Sequence, residues 1–337
     1  MVGADSIRRL CRRAAWQALM KILITGRDGQ LARSLAERIA QHELVFAGRS
    51  ELDLADAASI ERAVAAVNPA LIVSAAAYTA VDRAEAEPSV AMAVNGEGPG
   101  VLARMAARIG APIIHLSTDY VFDGGVDRPW HEEDPTSPLG VYGETKLAGE
   151  RAVSTSGVHY AILRTAWIYS PFGANFVRTM LRLALNGHEI VRVVADQLGN
   201  PTSALALADG IGVLIEAWQR DPQQGADAVY HLAGSGEASW AEFARAIFAE
   251  SVRLGGPSAD VRNITTAEYP TSARRPINSR LDCTRFERKF GFRLPEWHHS
   301  LREVIERLMI DKERIDATER SFKGSATSTQ CVSSVKS

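Results

Sequence analysis

The stretch Lys21-Ile22-Leu23-Ile24-Thr25-Gly26-Arg27-Asp28-Gly29-Gln30-Leu31-Ala32 decides the fold. A short β-branched run enters a turn with two glycines, and an amphipathic segment leaves it. Gly26 suits the tight turn. Gly29 lets the backbone approach a phosphate with no Cβ between them, and Ala32 is small where the helix packs on the strand. The first N–H groups of a helix starting at Gln30 carry partial positive charge and favour an anion. The spacing is G-x-x-G-x-x-A, not G-x-G-x-x-G. Taken alone, this turn does not separate a dinucleotide site from any βα connection built on two glycines.

The pattern repeats outward. Strand-like runs fall at Lys21–Thr25, Leu44–Ala47, Leu71–Ser74, Pro112–Ser117 and Tyr160–Arg164. Helix-like stretches fall near Gln30–Ala40, Ala55–Val67, Pro88–Ile109, Val141–Ser154, Asn175–Asn186 and Ser203–Gln219. Strands alternating with helices give right-handed βαβ units and a parallel sheet covered on both faces. The expected class is α/β, a Rossmann-type doubly wound parallel sheet. Beyond it come strand-like Glu189–Val194 and Ala228–Leu232, helices near Trp240–Arg253 and Pro295–Met309, and crowded turns. That half is expected to form a smaller, more irregular substrate lobe.

Residues 20–170 are thus read mainly as the dinucleotide domain, and 171–312 mainly as the lobe, with some segments returning to the first domain. Residues 1–19 carry four arginines and precede Met20. They read as an upstream start or loose surface helix rather than a transit peptide. Residues 313–337, rich in Ser and Thr, read as a flexible tail.

Composition removes other classes. A net charge of −2 over 337 residues leaves no electrostatic footprint for nucleic acid. No apolar run approaches the roughly 18–20 residues of a spanning helix, so no membrane partner is expected. Three cysteines without metal or redox spacing suit a reducing cytoplasm. The eight histidines are scattered, and no metal site is expected.

Several residues carry candidate chemistry. The second strand ends in Ala47-Gly48-Arg49, and Arg49 can face a ribose 2′-phosphate, which weighs for NADPH over NADH. A surface arginine is the plainer reading. Asp53-Leu54 follows, with Asp53 either accepting from an adenine amino group or capping a helix. Ala75, Ala76, Ala77 and Tyr78 leave the third strand, and the small residues give room to a cofactor backbone. Tyr142 and Lys146 share one helix face, where an ammonium near a phenol is expected to favour the phenolate and ease proton exchange. Such a pair fits carbonyl reduction. Lys146 is also placed to hold the ribose hydroxyls of the nicotinamide. Thr118 leaves a buried strand at its carboxyl end, positioned to donate to the same carbonyl oxygen or to cap a turn with Asp119. Asn95, polar in an apolar helix, either orders a water or is a satisfied buried amide.

These residues together resemble the extended short-chain dehydrogenase/reductases, and closely their dTDP-4-dehydrorhamnose reductase family. The similar stretches include Gly26–Leu31, Ala75–Asp82, Ser117–Gly124, Tyr142–Glu150, Arg164–Tyr169, Asn175–Leu183, Asp196–Thr202 and Arg275–Asp282. The resemblance implies reduction of the C4 ketone of dTDP-6-deoxy-L-lyxo-4-hexulose by NADPH or NADH. Tyr142 would be the proton donor, Lys146 its electrostatic partner and Thr118 a second donor. Trp167 matches a tryptophan that packs on the sugar, with a structural core role as the alternative. Gln30 and Leu31 match pyrophosphate-facing positions, and Asn175 either contacts the substrate diphosphate or caps a helix. Some members dimerise through Mg²⁺ on a glutamate that Ser34 replaces here, so no such metal is expected and a homodimer is left open. Two rivals remain: a non-catalytic subunit of the kind that regulates methionine adenosyltransferase, and an epimerase or dehydratase acting on another nucleotide sugar.

Overall fold

A computed structural model describes residues 19–310. Six strands form one parallel sheet: β1 (Lys21–Thr25), β2 (Glu43–Ala47), β3 (Leu71–Ser74), β4 (Ile113–Thr118), β5 (Tyr160–Thr165) and β6 (Ala228–His231). Their spatial order is β6-β5-β4-β3-β1-β2. The chain steps from β1 to β2 on one side, then returns to lay β3 on the other side of β1. The winding direction therefore reverses between β1 and β3, and ligands in open α/β sheets bind at the carboxyl ends beside such a reversal.

The apolar runs make the sheet. Every residue of β3 and β4 is buried, as expected for central parallel strands covered on both faces. One face packs on α1 (Gln30–Arg38), whose Leu35 joins Ile39 just beyond the helix end and Leu207, Ile211 and Trp218 of a later helix, Ala204–Arg220. The other face packs on α2 (Ala57–Val67) and α3 (Gly98–Ile109), which contribute Ile60, Val64, Leu102 and Ala106. The expected helix over Pro88–Ile109 is interrupted. Residues Ala93–Glu97 form a π-turn that carries Asn95. α4 (Val141–Ser154) has the bounds that the periodicity predicts.

The second lobe has its own core. α5 (Phe176–Leu185), α6 (Ala204–Arg220, already met against the sheet), α7 (Trp240–Arg253) and a helix over residues 297–310 surround it. Val177, Met180, Phe243, Ile247, Leu301 and Val304 fill it. A parallel pair, Ile190–Val194 with Asp260–Ile264, lies alongside. β6, α6 and a short helix at Thr284–Phe290 return to the sheet, so the chain crosses between the halves more than once. Residues 1–18 and 311–337, which include most of the expected leader and all of the expected tail, lie outside the described residues. No described helix is long and apolar enough to cross a membrane.

Candidate active site

The carboxyl ends of β1, β3, β4 and β5 open into a cleft of about 620 Å³. Its nucleotide side is built by the glycine turn. Gly26 has φ +86°, and a Cβ there would stand 3.1 Å from the Ala76 Cβ, so the turn and the segment after β3 touch as only glycine permits. Thr25 Oγ1 accepts from the N–H groups of Ala75 (3.0 Å) and Ala76 (2.9 Å), fixing that segment. Gly29 caps α1 with no side-chain hydrogen bond, which leaves the first-turn amides free of a built-in acceptor. Gly29, Gln30, Leu31, Arg49, Ala75, Ala76 and Ala77 all border the cleft. An uncapped helix start, a floor of alanines and a guanidinium beside β2 fit a dinucleotide with its pyrophosphate at α1.

Three candidates lie elsewhere. Asp53 accepts from Ala55 N (2.9 Å) and from Arg49 Nε (3.1 Å), closing a local turn, and the cap of α2 is Asp56, which accepts from Ala58 N (2.9 Å). Leu54 is buried in the core beneath α2 and α3. Tyr78 donates its phenol to Glu87 Oε2 (2.8 Å), away from the cleft, while its backbone N–H donates to Asn95 Oδ1 (2.8 Å). Asn95 Nδ2 in turn donates to Tyr78 O (3.1 Å) and Thr145 Oγ1 (3.2 Å). Asn95 is thus the satisfied amide, tying the segment after β3 to α4.

The chemical end gathers Thr118, Tyr142 and Lys146 on one wall of the same cleft. Tyr142 and Lys146 come from α4 at i and i+4, and Thr118 ends β4. The Thr118 hydroxyl lies beside the Tyr142 phenol and favours its anion. Thr118 Oγ1 donates to Asp119 Oδ1 (2.9 Å) and accepts from Tyr120 N (3.2 Å). Lys146 differs from the expectation. Its ammonium donates to Leu116 O (2.6 Å) and lies 3.5 Å from His115 Nε2, not against the phenol. Burial outweighs every favourable neighbour, and the Tyr142 phenol is pushed up to about 12 rather than down. Burial also brings Lys146 down to about 8, opposed by Glu150, and raises Asp119 to about 6. A neutral phenol suits a proton donor.

Beneath this wall sits a buried ion pair. Glu150, one turn after Lys146, accepts from Arg164 Nε (2.9 Å) and Nη2 (2.8 Å) and from Ser117 Oγ (2.5 Å). The end of β4, the helix α4 and the end of β5 are therefore locked together just below Thr118.

Trp167, at the end of β5, borders the cleft with a left-handed φ of +45°. Trp240 stacks on it with ring centroids 3.6 Å apart and planes 8° apart. The sequence reading missed Trp240 as a cleft residue. Its signal was the Ser239-x-x-Glu242 capping box, which places the indole at the first position of α7. Arg27, Asp119 and Tyr120 also border the cleft. Asn175 caps α5 through Arg178 N (3.1 Å) and donates to Gln30 Oε1 (3.0 Å), tying the glycine turn to the second lobe. Ser34 is buried, its hydroxyl donating to Gln30 O (2.9 Å).

Comparison with known proteins agrees with this geometry. A family model described as "RmlD substrate binding domain" matches residues 20–310. A dTDP-4-dehydrorhamnose reductase of Sinorhizobium fredii is 46% identical over 293 residues, covering 87% of this chain and 99% of the relative. One from Escherichia coli is 39% identical over 300 residues, covering 86% and 98%. A crystal structure of a dTDP-4-dehydrorhamnose reductase from Bacillus anthracis, in complex with NADP, superposes with a TM-score of 0.78 at 32% identity, covering 87% of this chain and all of that one. Another, from Clostridium acetobutylicum, reaches 0.79 at 37% identity over 86% of this chain. With its fold and nearly its whole described length matched, the chain belongs to the dTDP-4-dehydrorhamnose reductase family.

Proposed function

We propose that the protein reduces the C4 ketone of dTDP-6-deoxy-L-lyxo-4-hexulose to the alcohol of dTDP-L-rhamnose, with NADPH as the reductant. The observation that carries this reading is the meeting of Tyr142 and Thr118 in one cleft with the uncapped start of α1. When bound, the dinucleotide supplies a hydride to the carbonyl carbon.

The chain's own residues handle the rest. The first-turn amides of α1 hold the pyrophosphate, and the alanines after β3 leave room for the backbone beside it. Arg49, exposed and held by Asp53, offers a cation to a 2′-phosphate. Tyr142 keeps its proton at neutral pH and gives it to the carbonyl oxygen as charge develops there. Thr118 steadies the same oxygen. Lys146, held on Leu116 O at the same wall of the cleft, is available to the ribose hydroxyls of the nicotinamide. Net charge balances: one hydride and one proton enter, and the ketone becomes a secondary alcohol. We place the reaction in the cytoplasm, where reduced nicotinamide is kept, in keeping with the free thiol of Cys283.

The test follows NADPH absorbance with the 4-keto sugar nucleotide and identifies the product by NMR. Stoichiometric NADPH loss with a new C4 hydrogen supports the reading. Product formation without NADPH loss overturns it in favour of epimerase or dehydratase chemistry, and no turnover with any reduced cofactor removes catalysis altogether.

A further inference from the structure

Both faces of the Trp167 indole are covered. On one side lies Gly199, where a Cβ would stand only 2.4 Å from Cε2, 2.6 Å from Nε1 and 2.7 Å from Cζ2. Near-equal distances to one ring carbon and its two bonded neighbours place that point above the ring face, not at its edge. On the other side lies Trp240, parallel at 3.6 Å. Both indoles border the cleft that holds Tyr142 and Thr118, and both are half-buried.

The two covers differ in freedom. Gly199 is backbone, paired through Leu198–Gly199 with Ala238–Ser239 in a short antiparallel ladder. It cannot leave without breaking that ladder. Trp240 is a side chain at the first turn of α7, just past the Ser239–Glu242 capping box that fixes its backbone. Its ring also packs on Phe176, with centroids 4.7 Å apart, so a turn about χ1 and χ2 exchanges side-chain contacts only and leaves the helix backbone in place. A hexose presents an apolar C–H face that binds on a flat aromatic surface, and the face of Trp167 that can be uncovered is the one beneath Trp240.

Resting on the reductase reading, we propose that Trp240 is a further substrate-site residue: its indole holds the place of the sugar ring in the free enzyme and swings off Trp167 when the sugar nucleotide binds. The stack keeps the strained Trp167 rigid and dry until then, and the sugar must outcompete it.

Two indoles stacked 3.6 Å apart couple their electronic transitions, and an in-plane turn of one ring over the other gives an exciton couplet in the far-ultraviolet circular dichroism. The free wild-type enzyme should show that couplet, and Trp240→Phe should abolish it. If that variant fails to fold, Trp167→Phe serves the same assignment. Saturating dTDP-L-rhamnose with NADP⁺ should remove the couplet from the wild type, whereas dTDP with NADP⁺, lacking the sugar, should leave it. Trp240→Ala, with no indole to displace, should lower KM for the keto sugar nucleotide by at least about threefold. A couplet absent from the free enzyme, a couplet that survives saturating product, or a Trp240→Ala KM that is unchanged or raised overturns the proposal. A wild type that turns over NADPH yet keeps its couplet refutes the swing alone. A wild type without reductase activity refutes the reading beneath it.

Discussion

Thr118 gives its hydroxyl proton to Asp119 Oδ1 across 2.9 Å, so the residue expected to donate to substrate is already engaged by a carboxylate. A protonated Asp119 reverses that bond and frees the Thr118 proton for the cleft. Burial raises Asp119 from 3.8 to about 6, against the hydroxyls of Ser279 and Thr118, which favour the anion. A folded-state pKa above the unfolded one means that the favourable contribution is full below about pH 4 and is lost as pH rises through 6. Asp119→Asn removes the buried charge. Thermal midpoints across pH should show the variant gaining on wild type between pH 4 and 7, by up to about 3 kcal/mol. A difference between the two proteins that does not change with pH contradicts the shift.

The Glu150–Arg164 pair is buried on both sides, with side-chain exposure of 5% each. Removing one partner leaves the other charged and dry. Glu150→Ala should destabilise the fold by about 3–5 kcal/mol in denaturant titration, and adding Arg164→Met should restore much of it. Loss of Glu150 also removes the anion that holds Lys146 up, so its ammonium should titrate lower still. A double variant no more stable than Glu150→Ala would show that the pair is not what couples β4, α4 and β5.

Arg49 is the only reading that separates the two cofactors. Its side chain is 82% exposed and, among the described residues, is tethered to Asp53. Arg49→Ala should weaken NADPH about tenfold, near 1.4 kcal/mol, and leave NADH as it was. Direct titration of both reduced dinucleotides checks this. Equal loss for the two would make Arg49 a general surface cation.

Elements with strong periodicity were legible in the sequence. The strands of the sheet and the bounds of α4 and α7 follow from apolar spacing, because those segments bury one face or both. The strand Asp260–Ile264 was not, since its residues are mostly polar and outward-facing and it forms only by pairing with Ile190–Val194. The π-turn at Asn95 was hidden for a similar reason: it is held by bonds to Tyr78 and Thr145, partners far away in the chain. Helical spacing put Tyr142 and Lys146 on one face but not the direction of a flexible ammonium, which a carbonyl in β4 decides. Asp53, Leu54 and Tyr78 sit beside cleft residues in sequence, and local turns carry their side chains elsewhere. Trp240 needed the tertiary fold, because only the second lobe brings α7 back over the end of β5.

Reduction at C4 turns on one proton, that of the Tyr142 phenol. Replacing Tyr142 with Phe keeps the ring, its edge contact with Tyr120 and the cleft wall, and removes only the hydroxyl. Single-turnover reduction of the 4-keto sugar nucleotide, with NADPH binding measured separately, isolates that hydroxyl from folding and cofactor affinity. The chemical step should be at least about 100-fold slower, with NADPH affinity unchanged. A Tyr142→Phe enzyme that reduces the ketone at the wild-type rate would contradict the donor role of Tyr142.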